Sequence, residues 1–139
     1  MRHVPHALSV GGAVFCGALL IAPAMPDTWY SAFFCRVPAW LAAAYYHAGY
    51  EGISLVLGSG RVVTVTRDCG GSDFFALICA VLTWHAVRQN GTALLPLWWA
   101  GAWLFTVSVN GMRVIASVWM RTLAEVFLPE RFYGVVHLV

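Results

Sequence analysis

The sequence is poor in charge and lacks the patterns that hold metals or nucleic acids. Only 10% of its 139 residues are Asp, Glu, Lys or Arg, whereas a soluble domain usually carries about 25%. The formal net charge is only +2 and no basic cluster is present, so we expect no nucleic-acid partner. The four cysteines show neither CxxC spacing nor a Cys/His ladder, so we expect no metal ion and no other cofactor.

What the sequence has in excess is apolar surface. Hydrophobic residues make up 60% of the chain, and the mean hydropathy is +0.74. This composition predicts an integral membrane protein, with the lipid bilayer as its surroundings and one domain over residues 1–139. The predicted fold is an all-α multi-pass membrane protein with about four transmembrane helices, an interfacial helix and a short external β-hairpin.

Four apolar runs are candidates for the helices. They cover residues 7–22, 36–50, 73–87 and 92–109. Pro23 and Pro26 end the first run, which we interpret as a retained helix rather than a cleaved signal peptide. The aromatic stretch 27–35 is typical of the headgroup region. The second run is either a full span or a short or tilted helix.

A β-hairpin is predicted over residues 53–66. Ile53, Leu55 and Leu57 alternate with other residues, a Gly-Ser-Gly turn follows, and the next stretch is rich in Val and Thr. A two-stranded hairpin has unpaired edges, so it must lie outside the hydrocarbon or against the helices at its surface. The hairpin therefore brings the next residues, with Cys69, to the membrane interface.

Cys69 is the candidate nucleophile, because it stands where an extended segment gives way to an apolar helix. Free N–H groups and the helix dipole at such a junction favour a thiolate. Gly70 and Gly71 leave room for a substrate backbone to approach. A structural cysteine at a helix cap explains the same pattern, and Ser72 or Asp73 is a plausible N-cap.

Three polar side chains are predicted on the side of the membrane that carries Cys69. Arg88 lies in a tight turn between the third and fourth helices, which indicates the cytoplasm and places Cys69 and Asn110 on the external face. Arg113 follows Asn110 at i+3, just past the predicted helix end, and His137 opens another apolar run. Histidine can deprotonate a cysteine thiol and later protonate the leaving amine, while arginine can stabilise an oxyanion. Asn110 would orient Arg113 or cap the helix.

In these residues the chain resembles the exosortase/archaeosortase family, most closely the small exosortase K type. The resemblance covers roughly residues 36–139. The family pattern is a Cys-small-Gly motif opening a transmembrane helix, then Asn-x-x-Arg after a later helix, then a His opening the final helix. These motifs fall on Cys69 to Gly71, on Asn110 to Arg113, and on His137.

The resemblance implies a membrane-embedded cysteine protease/transpeptidase in the bacterial plasma (inner) membrane, with its active site on the external, periplasmic face. Its partners would be exported proteins that carry a C-terminal sorting signal, often of the PEP-CTERM kind. Cys69 would be the nucleophile, His137 the base and Arg113 the oxyanion stabiliser, with Asn110, Gly70 and Gly71 in support. Family members continue into a last helix, so we expect this chain to be a C-terminally truncated form that lacks it.

Two other interpretations remain. The chain could be a non-enzymatic membrane scaffold in which Cys69 and Arg113 are structural. The stretch Gly70-Gly71-Ser72 is also loosely similar to rhomboid serine proteases, which would make Ser72 the nucleophile of a serine-type intramembrane protease, although the Gly-x-Ser-x-Gly form is absent.

Overall fold

The computed structural model describes residues 4–89 and 91–127, which form a mostly helical protein with one small sheet. Its α-helices are α1 (Val4–Ala24), α2 (Asp27–Tyr30), α3 (Arg36–Tyr46), α4 (Ser72–Arg88) and α5 (Leu95–Phe127). A π-helical turn, Ser31–Cys35, joins α2 to α3, and 3₁₀ turns at Arg67–Cys69 and Thr92–Leu94 precede α4 and α5.

Three segments of the described chain, rather than about four, are long and apolar enough to cross a membrane. They are His6–Ala24, Arg67–Arg88 and Thr92–Leu123. Helix α3 has only 11 residues, about 16 Å, which is half the thickness of a bilayer core. It ends where His47 adopts a left-handed conformation, with φ of 49°. The second apolar run is therefore a short helix, and a fourth span is not confirmed.

Helix α5 continues well past Val109, where the predicted fourth span ends. It runs for 33 residues, about 50 Å, without interruption at Val109. Helix α3 packs against its second half: Leu41 lies in the space that a Cβ on Gly111 would occupy, and the Tyr46 hydroxyl donates a 2.8 Å hydrogen bond to the Ile115 carbonyl. Consequently Arg113 lies inside a helix and not just past its end.

The predicted hairpin is present as part of a three-stranded antiparallel sheet. The strands are β1 (Gly49–Glu51), β2 (Ser54–Val56) and β3 (Val62–Thr64), in the order β1-β2-β3. Leu55 at the centre pairs with Tyr50 on one side and Val63 on the other, and its side chain is fully buried. The hairpin over 53–66 is confirmed, whereas β1 was wrongly included in the second apolar run.

One apolar cluster lies where α3, the sheet and the start of α4 meet. Its buried members are Tyr30, Phe34, Cys35, Ala39, Ala42, Ala43, Leu55, Val65, Cys69 and Val114. The small alanines let α3 approach its neighbours closely, and the aromatic rings of α2 and the π-helical turn fill the space beside the sheet. Cys69 is thus part of the core of this end of the molecule.

Helix α1 packs on α4, and Gly11 is a point of close contact between them. A Cβ on Gly11 would lie 3.0 Å from the Trp84 Cβ and 3.1 Å from the Ala80 carbonyl oxygen, whereas a Cβ on Gly12 would meet nothing within 4 Å. The two glycines are neighbours in one helix, so they provide a matched pair for testing this contact.

We expect Gly11→Val to lower the free energy of unfolding by about 1 to 3 kcal/mol more than Gly12→Val, because only the first forces α1 away from α4. Both variants replace glycine with valine inside α1, so the change in helix propensity is the same in each and cancels when the two free energies of unfolding are compared. Thermal unfolding in detergent micelles, followed by circular dichroism, measures the difference. Equal losses would show that α1 is not held against α4 at this point.

Candidate active site

Cys69 ends the 3₁₀ turn that leads from the sheet into α4. Its amide donates to the Thr66 carbonyl at 3.0 Å, and the Gly70 amide donates to the Arg67 carbonyl at 3.0 Å. The Thr66 hydroxyl lies 3.8 Å from the Cys69 sulfur, to which it donates. The Cys69 side chain is only 8% exposed. The thiol therefore stands at the predicted junction, but the apolar cluster covers it.

Gly71 forms the N-cap of α4, so the prediction of Ser72 or Asp73 as N-cap is wrong. Its φ of 71° is left-handed, a conformation that glycine adopts at little cost, and no side chain caps the helix. The Gly71 carbonyl accepts the first helical hydrogen bond, from Phe75 at 3.0 Å. The amides of the first turn of α4 consequently have no helical carbonyl to donate to, which leaves a partial positive charge there.

Asn110 of α5 holds the turn that carries Cys69. Its amide nitrogen donates a 2.6 Å hydrogen bond to the Gly70 carbonyl oxygen, and its side chain is buried. A Cβ on Gly71 would collide with the amide group of Asn110, so only glycine fits beside it. This contact joins two stretches that lie 40 residues apart in the sequence, and both had been singled out as site motifs.

Tyr30 also packs against this turn, at Gly70. A Cβ on Gly70 would collide with its hydroxyl, which lies 3.1 Å from both the Arg67 carbonyl oxygen, to which it donates, and the Ser72 hydroxyl. The sequence had suggested only an interfacial aromatic for Tyr30. Its spacing of four residues from Phe34 is the signal for a buried helical face, because both side chains then point the same way.

Arg67 ties the end of α1 to the site. Its guanidinium donates to the carbonyls of Ala22 at 2.7 Å, Met25 at 2.8 Å and Pro23 at 3.3 Å, and it forms a 2.8 Å ion pair with Asp27. It also lies over the Tyr30 ring, 4.5 Å from the centroid. Sequence reasoning gave Arg67 no role, because its partners are backbone oxygens more than 40 residues away.

The described contacts assemble only part of the predicted constellation. Cys69, Gly70, Gly71 and Asn110 lie together. Arg113 is one turn beyond Asn110 on α5, with its side chain exposed and without a hydrogen bond or ion pair to the described part of the chain. No described contact joins it to Cys69. His137 lies outside the described residues, so its predicted role stays a prediction.

An open apolar groove of about 600 Å³ runs between α4 and α5. It is lined by Phe74, Ile78, Leu82, His85, Trp98, Gly101, Ala102 and Phe105. The groove begins one helical turn beyond Cys69, at Phe74, and extends away from it toward the opposite end of α4. It therefore includes none of the predicted site residues.

No family model, curated protein or solved structure matches this chain. The resemblance to the exosortase/archaeosortase family consequently rests on the sequence motifs alone, at Cys69 to Gly71, Asn110 to Arg113, and His137. Within residues 4–89 and 91–127, no group of three or more His, Cys, Asp or Glu side chains is placed to hold a metal ion.

Proposed function

We propose that this protein is a membrane-embedded cysteine protease or transpeptidase that cleaves C-terminal sorting signals, of the PEP-CTERM type, from exported proteins. The observation that supports this function most is the hydrogen bond from Asn110 to the Gly70 carbonyl. It brings the Cys-Gly-Gly stretch against the Asn-x-x-Arg stretch, which is the juxtaposition that the resemblance requires.

In this mechanism Cys69 attacks the scissile carbonyl, its sulfur forms a thioester with the acyl group, and the amine leaves with a proton. His137 takes the proton from the thiol and delivers it to the amine. Arg113, whose side chain has no partner among the described residues, steadies the oxyanion together with the free amides of the first turn of α4. Water or an acceptor amine then releases the acyl group.

Asn110 acts here as a positioning residue. It touches the carbonyl of the residue after the nucleophile rather than the sulfur itself, so it fixes the turn and the direction of the amides that follow. Because Cys69 is only 8% exposed, a substrate carbonyl reaches the sulfur only after a neighbouring side chain moves aside.

The three long apolar segments support a multi-pass membrane protein, and the bacterial inner membrane is the location that the resemblance implies. In the proposed orientation Arg88 faces the cytoplasm and Cys69 the external side. A membrane-impermeant maleimide added to intact cells tests this orientation. Because Cys69 itself is buried, the reporter is a cysteine introduced at the exposed Val62 of β3 in an otherwise cysteine-free variant, and we expect it to be labelled from outside. Labelling only after cell lysis would contradict it.

Replacement of Cys69 tests the chemistry. An exported reporter with a C-terminal PEP-CTERM signal is co-expressed with each form of the protein, and shortening of the reporter is measured by immunoblot. We expect cleavage by the wild type, and a loss of at least about 100-fold in Cys69→Ala and Cys69→Ser, because neither side chain replaces a thiolate.

Cys79→Ala is the matched control, because Cys79 is also a buried cysteine and lies in α4, the helix that follows Cys69. It should retain cleavage. Full cleavage by Cys69→Ala would exclude the proposed mechanism.

A non-enzymatic scaffold is the second candidate, and two observations favour it. Cys69 is packed in the apolar cluster, and the hydrogen bond to the Gly70 carbonyl explains Asn110 by structure alone. A scaffold predicts that Cys69→Ala changes stability but no cleavage event. The serine-type alternative predicts that Ser72→Ala loses cleavage while Cys69→Ala retains it. The structure gives this alternative less support, because the Ser72 hydroxyl already makes hydrogen bonds with Tyr30 and Asp73.

A further inference from the structure

A second cysteine, Cys35, lies beside the turn that carries Cys69. It is the last residue of the π-helical turn, its side chain is 1% exposed, and both cysteines belong to the same apolar cluster. Nothing in the proposed reaction uses Cys35. All four cysteines of the chain are free thiols.

Thr66 connects the two thiols. Its carbonyl oxygen accepts from the Cys35 sulfur at 3.6 Å and from the Cys69 amide at 3.0 Å, so both cysteines lie against one oxygen atom. Its hydroxyl donates to the Cys69 sulfur at 3.8 Å. These bonds to sulfur are long and weak, so rotation of either side chain loses little.

We propose that Cys35 and Cys69 form a reversible disulfide, which makes this pair an oxidation site for hydroperoxides. The inference that the disulfide regulates cleavage rests on the proposed function, because it requires Cys69 to be the nucleophile. The disulfide itself does not depend on that function.

The order of events follows from the environments of the two sulfurs. Burial raises the pKa of the Cys35 thiol to about 11, with a further increase from nearby Cys69 and a decrease from Arg67. At neutral pH Cys35 is therefore mostly protonated, which slows its attack on an oxidant. Cys35 is also 1% exposed, against 8% for Cys69 just before α4, so an oxidant reaches Cys69 first and Cys35 reacts second.

One molecule of hydrogen peroxide is enough to oxidise the two thiols to the disulfide. The Cys69 sulfur attacks hydrogen peroxide, the O–O bond breaks, and a sulfenic acid and water form. The Cys35 sulfur then attacks the Cys69 sulfur, the S–S bond forms, and the sulfenic oxygen leaves as water with the proton from Cys35. Two thiols lose two electrons in total, and the peroxide is reduced to two waters.

The test uses the purified full chain in detergent, treated with hydrogen peroxide at neutral pH and then with a maleimide before digestion and mass spectrometry. The expected product is a peptide pair linked through Cys35 and Cys69, which dithiothreitol separates. In Cys35→Ser the linked pair is absent and Cys69 accumulates as sulfinic acid, because no resolving thiol is present. Cys79→Ser and Cys16→Ser should form the linked pair as the wild type does.

Recovery of Cys69 as sulfinic acid in the folded wild type, without the linked peptides, would overturn the proposal. A link from Cys69 to Cys16 or Cys79 would also overturn it. In the reporter assay, dithiothreitol should restore cleavage at least tenfold in the peroxide-treated wild type but not in peroxide-treated Cys35→Ser. A linked pair in a protein that never cleaves the reporter would count against the proposed function and support the disulfide.

Discussion

Replacing Gly71 with alanine is expected to lower the free energy of unfolding by about 2 to 5 kcal/mol. The new methyl group forces a residue with a Cβ into the left-handed conformation, at φ of 71°. It also collides with the Asn110 amide, so the hydrogen bond to the Gly70 carbonyl breaks and leaves a buried acceptor without its donor. Thermal or denaturant unfolding in detergent micelles measures the loss.

Gly52→Ala is the matched control for this variant. Gly52 also has a left-handed φ, of 63°, but a Cβ there would meet nothing within 4 Å. Its loss should therefore be limited to the backbone conformation, about 1 to 2 kcal/mol. If Gly71→Ala and Gly52→Ala cost the same, the contact with Asn110 does not constrain the turn.

A double-mutant cycle separates the two causes. Asn110→Ala alone should cost about 1 to 3 kcal/mol, because the Gly70 carbonyl loses its donor. In the double variant Gly71→Ala/Asn110→Ala the collision is gone, so the combined loss should be smaller than the sum of the single losses by about 1 kcal/mol or more. Strict additivity would show that the two residues do not interact.

Replacing Arg67 with methionine is expected to destabilise the protein by about 2 to 4 kcal/mol and to release the end of α1. Methionine keeps much of the aliphatic volume but removes the donors to the carbonyls of Ala22, Pro23 and Met25. It also removes the charge over the Tyr30 ring. The side chain of Arg67 is 38% exposed, so water replaces part of what is lost.

Two variants identify which bonds of Arg67 matter. Asp27→Asn should cost about 1 kcal/mol or less, because the Asp27 side chain is 89% exposed and the ion pair is screened by solvent. Arg36→Met is the control for losing an arginine, since the exposed Arg36 side chain has no hydrogen bond or ion pair with the described residues. A loss in Asp27→Asn equal to that in Arg67→Met would assign the effect to the ion pair instead of the carbonyls.

Local patterns in the sequence predicted the elements that surround the site. The first helix ends close to the predicted place, at Ala24 and before Pro26, although Pro23 lies inside α1 and does not end it. Alternation with a Gly-Ser-Gly turn predicted the hairpin, because strand period and turn chemistry depend on neighbouring residues. The length of an apolar run was less informative. Run 36–50 contains both α3 and the start of β1, because the helix ends at His47 and the residues that follow pair with β2.

Continuity of α5 shows a different limit of sequence reasoning. Asn110 and Gly111 weaken a helix locally, so the fourth span was predicted to end at Val109, with the residues after it still helical. What the sequence did not predict is that the helix packs against α3 there: Leu41 occupies the space that a larger residue than Gly111 would need. This contact joins residues 70 positions apart, and no local pattern encodes it.

The sequence by itself determined that a thiol, Cys69, stands between an extended segment and an apolar helix, and that two glycines follow it. These features depend on residue types and on the order of neighbouring elements. Only the tertiary structure decided what holds that thiol: Asn110 on the Gly70 carbonyl, Tyr30 against Gly70, Arg67 on the end of α1, and Cys35 across Thr66. Each of these contacts joins a side chain to a backbone atom or a small gap at a residue distant in the sequence. Because every residue carries such backbone atoms, the sequence does not show which of them a side chain will contact, and only the folded chain decides it.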